Sequence, residues 1–287
     1  PIKSSAASDV YKRQMWHMAE PRLRTVNKAV APFAVNKFPS SFVETLAQNI
    51  VYMMATKQSM SLEGNEWEQI FAECVGAEWK PSNVGLDDVV LDNCCWGAKT
   101  VFGQTDIEHQ DKVRLICGRN AVTYSFGVDN YSEVDPNELG KMVLQIWNER
   151  VSAVRQIFKF VRTVVLVKSK DYKDYLIFEF DTIRYDPELY EFKWNKRGNL
   201  EGYEKESGLH KFTWQPGGSQ FTIIEKIPQE RLHISIKQPD QMDKSTILKA
   251  VGFDKSWYEI VSEKLPPKDQ KARQTERIEI YKEKLNN

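Results

Sequence analysis

Hydrophobic positions recur at two different periods along the chain, three to four residues apart in some segments and two apart in others. In residues 40–60 (SSFVETLAQNIVYMMATKQS), Phe42, Leu46, Ile50 and Met53 fall on one side of a helical wheel, with Ser40 or Ser41 as N-cap. A second helix is expected from about Asn65 to Val75. It carries Trp67, Ile70, Phe71 and Cys74 or Val75 inward, and Gly76 ends it. Pro81 to Gly85 reads as a loop. The run Asp88-Val89-Val90-Leu91, the turn Asp92-Asn93 and the segment Cys94 to Val101 then read as two strands, and residues 112–118 as a third, closed by Gly118.

Asp135-Pro136-Asn137-Glu138 has the form of a helix start, with an Asp cap, Pro in the first turn and an acid close behind. Leu139, Met142, Val143, Ile146, Trp147, Val151, Val154 and Phe158 continue at helical spacing. From Arg162 the period shortens to that of strands, in RTVVLV, YLIFEFDTIRY, HKFTW, SQFTIIEKI and LHISI. Gly198, Gly202, Gly208 and Pro216-Gly217-Gly218 supply turns. The expected class is α/β in the α+β sense, a central mixed sheet flanked by helices with a β-rich second half. One domain is expected over 15–265, with a core at about 40–170 and a β-region at about 171–240. A charged tail follows over 266–287. Residues 9–14 (DVYKRQ) resemble a translated sequencing adaptor, so 1–14 are expected to be non-native or without a fold.

Composition changes this picture only a little. The 287 residues include 40 basic and 40 acidic side chains, so a polyanionic partner has to be argued from local patches rather than net charge. No apolar run reaches the roughly 20 residues of a membrane helix. Cys74, Cys94, Cys95 and Cys117 form no CxxC pair and the histidines are scattered, which argues against structural zinc. Cys94 and Cys95 are expected on opposite faces of a strand, half-buried and reduced, as in a cytoplasmic protein.

The stretch Gly64 to Thr100 carries the candidate chemistry. A helix bearing Glu68 precedes a strand headed by Asp87-Asp88, a tight turn, and a strand ending at Lys99. Two carboxylates and a lysine gathered at one end of a sheet suit metal-assisted phosphodiester hydrolysis. Oxygen ligands would hold Mg²⁺, and a cation would align water. Asp87 is the alternative to Asp88, since alternation sends the two to opposite faces. Glu66 and Glu73 share the helix and read as surface acids.

This arrangement resembles the PD-(D/E)xK nuclease superfamily, which includes many type II restriction endonucleases. Glu68 matches the helix glutamate of that pattern, Asp88 the aspartate heading a strand, and Lys99 in WGAKT its lysine. Gly97 stands where the pattern has Glu or Asp. The resemblance implies a site-specific deoxyribonuclease with Asp88, Lys99 and Glu68 as catalytic residues. Asp88, Glu68 and the Ala98 carbonyl would then ligate Mg²⁺ or Mn²⁺. It also implies duplex DNA as substrate, a homodimer on a palindromic site, a cognate methyltransferase and a prokaryotic cytoplasm. Repair, junction or modification-directed nucleases, or a DNA-binding module with a lost active site, are the alternatives.

DNA contacts are expected from three places. Arg114, Arg119 and Asn120 follow the candidate site, and Gln104 could position water. Between Lys141 and Lys170, basic residues including Arg150, Arg155 and Lys159 outnumber the single acid Glu149, as on a phosphate-facing helix. From Phe192 to Phe221, aromatic residues alternate with Lys193, Asn195, Lys196, Arg197, Asn199, Lys211, Gln215 and Gln220. Arg and Lys read guanine, and Asn and Gln read adenine. His210 reads as structural.

Overall fold

In the computed structural model, residues 29–57, 61–81, 85–104 and 106–261 are described. The adaptor-like start and the tail from Pro266 lie outside them. The helical period of the first segment becomes α1 (Phe42–Thr56), whose buried face is Phe42, Leu46, Ile50 and Met54. The strict four-residue step selects Met54, so the expectation of Met53 is corrected. Helix α2 (Gly64–Val75) starts one residue earlier than expected. Glu66 reaches back to accept a 2.7 Å hydrogen bond from the Glu63 amide, and Gly76 ends the helix at φ 67°. That left-handed geometry is what glycine permits at this stop.

Among the described residues, eleven strands form two sheets. The first has the order β1 (Glu78–Trp79), β2 (Val89–Leu91), β3 (Cys94–Phe102), β5 (Phe160–Lys168), β6 (Asp174–Asp181) and β11 (Leu232–Ser235). The second runs β4 (Lys112–Arg119), β10 (Gln220–Lys226), β9 (His210–Gln215), β8 (Leu200–Glu204) and β7 (Tyr190–Trp194), all antiparallel. The mixed α+β class expected from the sequence is what the structure has. The linear division into a core to 170 and a β-region after it is not. Strand β4 leaves for the second sheet, while β6 and β11 return to the first.

Strands β3 and β5 pair in parallel, Cys94 opposite Phe160 through Phe102 opposite Lys168. Parallel neighbours need a crossover, and β4 and α3 (Pro136–Ile157) lie within it. Asp135 caps this helix by accepting from the Asn137 and Glu138 amides. Leu139, Val143, Leu144, Trp147, Val151 and Val154 form one core with Cys95 and Val161 of the first sheet and Phe192, Phe212, Trp214 and Phe221 of the second. Helix α3 is therefore packed between two sheets. Phe158 lies just beyond its end. At Gly140 an added Cβ would stand 2.2 Å from the Phe192 ring, so the helix backbone lies directly on that ring.

The opposite face of the first sheet packs on α2 and on residues 29–38. Trp96 stacks on Phe33 and meets Phe71 edge-on, each at 5.6 Å. Beneath them Glu179 is fully buried. It accepts from Trp96 Nε1 (2.6 Å), Arg162 Nη1 (2.9 Å) and the Asn36 amide (3.1 Å). Burial raises the carboxyl pKa, against the opposing pull of Arg162, Trp96 and Asn36.

Contacts divide the described residues into two compact units, within 1–51 with 60–238 and within 52–59 with 239–287. In the second, Met242 donates to the Ala55 carbonyl (2.8 Å), and Asp243 caps α4 (Lys244–Ala250). Among the described residues no helix is long and apolar enough to cross a membrane.

Removing one member of a buried ion pair strands the other. Arg162→Met is expected to destabilise the protein by about 3–5 kcal/mol near neutral pH, measured by urea unfolding. Because the Glu179 pKa is raised in the folded state, the native protein holds that proton more tightly than the unfolded chain. Its stability therefore falls as pH rises from the ordinary glutamate range through the raised value. The deficit of Arg162→Met should shrink on acidification. A deficit independent of pH would show that Glu179 is not the stranded charge.

Candidate functional site

The register of β2 and β3 sets the first candidate corner. Val89 pairs with Trp96 and Val90 with Cys95, so facing side chains share a side. Cys94, Trp96 and Ala98 alternate with Cys95, Gly97 and Lys99. The Cys95 side faces the α3 core. Asp88, one residue before Val89, falls by alternation on the side of Gly97 and Lys99. Asp88 is buried, and its carbonyl accepts from the Lys80 amide at 2.8 Å. Lys99 Nζ donates to the Gly85 carbonyl at 3.2 Å.

Gly97 has a steric reason to be glycine. A Cβ there would sit 2.8 Å from the Gly85 oxygen and 3.1 Å from Leu86 Cα. Backbone 85–86 crosses directly over the position where the nuclease pattern places its acid, and a carboxylate would also face the Gly85 carbonyl. Glu68 does not fill the gap. It projects from α2, the helix on the Trp96 side, and accepts from Trp79 Nε1 at 3.1 Å. Ala98 lies beyond the β2 pairing, which stops at Trp96, and is paired with Val164 of β5. Among the described residues no group of three or more His, Cys, Asp or Glu side chains is placed to hold a metal. The expected ligand set of Asp88, Glu68 and Ala98 does not fit Mg²⁺ or Mn²⁺.

Cys94 and Cys95 are both fully buried, rather than half-buried as expected, and all four cysteines are free. Burial pushes the Cys94 and Cys117 thiols up to about 12.

The basic segment is largely used inside the fold. Arg150 donates to the carbonyls of Cys117 (3.4 Å) and Arg119 (3.5 Å) and to Asn120 Oδ1 (3.4 Å), and burial lowers its pKa. Arg155 donates to the Thr182 carbonyl (2.7 Å), Lys141 pairs with Glu138 and Glu188, and Lys168 is buried against the Leu62 carbonyl. Asn120 is buried, accepting from Trp214 through its carbonyl. Arg150 is thus half-buried and Asn120 fully buried, while Arg155 keeps an exposed side chain. A helix between two sheets spends its long cations on carbonyls at strand ends. Lys159 is exposed.

The second sheet presents a different surface. Phe192, Leu200, Phe212, Trp214, Phe221 and Ile223 face α3, so the alternate residues form its outer face. There an open hollow of about 570 Å³ is lined by Arg114, Asn195, Lys196, Arg197, Asn199, Glu201, Thr213, Gln215 and Thr222. Six of these nine were expected DNA contacts, from three separate stretches of sequence. Arg119, Gln220 and Gln215 lie in register across one end of the same face. Lys193 stands over the Tyr203 ring at 4.2 Å.

Lys211 departs from this group. Gly202 pairs with Phe212 and Tyr203 with His210, which makes Lys211 the extra residue of a bulge. It forms a 2.8 Å ion pair with Glu225, whose other oxygen accepts from Tyr185. Lys211 is therefore paired within the fold and is not among the residues that line the hollow.

The β7–β8 turn is built on Asn195. Its Oδ1 accepts from the Arg197 (2.8 Å) and Asn199 (3.0 Å) amides, and its Nδ2 donates to Glu201 (2.8 Å). Gly198 takes φ 71°. Sequence reading counted Glu201 only as a diluting acid, and missed Thr213 and Thr222. Alternation along β8, β9 and β10 would have placed all three on the outer face. Burial raises the Glu201 pKa, but bonds from Tyr203 and Asn195, with His210 and Arg114 nearby, outweigh it and leave the carboxyl below its ordinary range. His210 is half-buried, stacked on Tyr203 at 4.9 Å and bonded to Thr213 and the Phe212 carbonyl, the structural role expected of it.

Comparison with protein-family models, curated proteins and solved structures finds no match for this chain.

Crowding at Gly97 has a measurable consequence. Gly97→Ala should cost about 1–3 kcal/mol in urea unfolding, as overpacking does, and Gly97→Asp more. An unchanged midpoint for Gly97→Asp would mean that backbone 85–86 leaves room there for an acid.

Proposed function

We propose that this protein binds duplex DNA in a sequence-dependent way, on the plan of a restriction endonuclease, through the outer face of its second sheet. The observation that carries this reading is the single hollow in which Arg114, Asn195, Lys196, Arg197, Asn199 and Gln215 converge. Guanidinium, ammonium and amide groups side by side match the acceptor and donor pattern of base edges in the major groove. Lys196 and Arg197 are exposed, and their side chains make no hydrogen bond or ion pair among the described residues. They are available to a partner without unmaking the fold. A twofold pair of chains on a palindromic site belongs to the same reading, and a companion methyltransferase to the cleavage reading that follows.

A second reading, Mg²⁺-dependent cleavage, is favoured by one observation. Alternation puts Asp88 and Lys99 on one side of paired strands. It would need a further carboxylate beside Lys99, and Gly97 cannot carry one without moving backbone 85–86.

Incubation with long mixed-sequence duplex DNA, with Mg²⁺ or Mn²⁺, separates the two. The proposal expects retention of particular fragments without cutting. Affinity should fall with salt at a log–log slope of about 0.9 for each phosphate contacted. Discrete cleavage products that vanish in Asp88→Ala and Lys99→Ala would decide for the endonuclease. Equal affinity for every duplex, or none, would remove sequence reading altogether.

A further inference from the structure

Resting on the DNA-binding reading above, we infer that the hollow on the second sheet is complementary to one G·C base pair seen from the major groove. In this assignment Arg197 and Lys196 face guanine, and Glu201 faces the amino group of cytosine.

Strands β7 and β8 form a hairpin at the edge of the second sheet, and its turn carries Lys196 and Arg197. A two-stranded ribbon of this kind is of the size that the major groove admits. The turn needs no partner to hold its shape, because Asn195 satisfies two of its amides and is tied down by Glu201. Asn195 is therefore a positioning residue, and the two cations above it are presented in a fixed place.

The hollow also contains a negative group. Glu201 lines it and is held ionised, with one oxygen accepting from Asn195 and the other from Tyr203 at 2.6 Å. Each carboxylate oxygen keeps a second lone pair for another donor. A phosphate has acceptors alone and could use only the cations, whereas a base edge can also offer a donor to the carboxylate, so the whole lining suits a base edge better than backbone. The edge must offer acceptors to the cations and a donor to the carboxylate.

A G·C pair does so, with guanine N7 and O6 on one side and cytosine N4 amino on the other. An A·T pair in the same orientation would turn the adenine amino group toward the cations and thymine O4 toward Glu201, which is wrong at both ends. The reversed T·A pair offers the cations one acceptor beside a methyl group, so a guanidinium fork loses its second hydrogen bond.

The test is selection of bound sequences from a randomised duplex pool by the full chain, followed by titration of the selected duplex. The pool should yield a site with at least one fixed G·C pair. Replacing that guanine by 7-deazaguanine should weaken binding about tenfold or more, since a bidentate base contact is worth about 1–3 kcal/mol. Arg197→Ala, at an exposed position outside the core, should show the same loss on the natural duplex and no further loss on the modified one. Glu201→Gln should relax the preference at the cytosine. A selected site made only of A·T pairs would overturn the assignment while leaving DNA binding intact. So would a 7-deazaguanine effect that persists undiminished in Arg197→Ala. A pool showing no enrichment at all would overturn the DNA-binding reading together with it.

Discussion

The parallel pairing of β3 with β5 is the constraint from which the remaining architecture follows. Two parallel neighbours cannot be joined by a turn, so the chain must leave the sheet and return. It does so through β4 and α3, and each has a consequence. Strand β4 founds a second sheet instead of extending the first, with β10 alongside it. Helix α3 is then apolar toward both sheets, and a single core joins them. The second sheet has one face buried and one left polar, and the candidate binding surface is that polar face.

The same packing decides what the two candidate sites can do. At the β2–β3 corner, Leu86 is drawn into the core with Cys95 and Val161, which brings backbone 85–86 over Gly97. The absent acid is thus a matter of space. Lys99 is left donating to a backbone carbonyl. On the outer face of the second sheet, by contrast, polar side chains are organised by one another. Asn195 folds the turn, Glu201 holds Asn195, and Arg114 donates to Thr213 at 2.8 Å. Such a surface is shaped before any partner arrives, which lowers the ordering cost of binding.

Much of this was legible in the sequence where periodicity was strong. The helices around Ile50, Phe71 and Val151, the strands from Arg162 to Val167 and from Phe221 to Glu225, and the Asp135 cap all follow from local pattern. What local pattern could not carry was pairing. Nothing in residues 112–118 distinguishes a strand beside β3 from one beside β10, and β7 and β8 are too short and polar to announce themselves. Charge patterning misled for the same reason. Arg150 of α3 looked solvated because the sequence does not reveal the second sheet, whose β4 carbonyls it meets. Lys211 looked outward because a bulge shifts register without changing composition. The grouping of Arg114 with Asn195–Asn199 and Gln215 required the β4–β10–β9–β8 order, which only the fold supplies.

The central claim is that DNA meets this protein at the outer face of the second sheet. Its most direct measurement is lysine acetylation by a small amine-reactive reagent, mapped by mass spectrometry with and without bound duplex. Lys193 and Lys196 are exposed on that sheet and its turn, whereas Lys159 is exposed between the end of α3 and the start of β5, and Lys170 just after β5. Bound DNA should protect Lys193 and Lys196 and leave Lys159 and Lys170 as reactive as before. Protection of Lys159 and Lys170 with Lys193 and Lys196 unchanged would contradict the account.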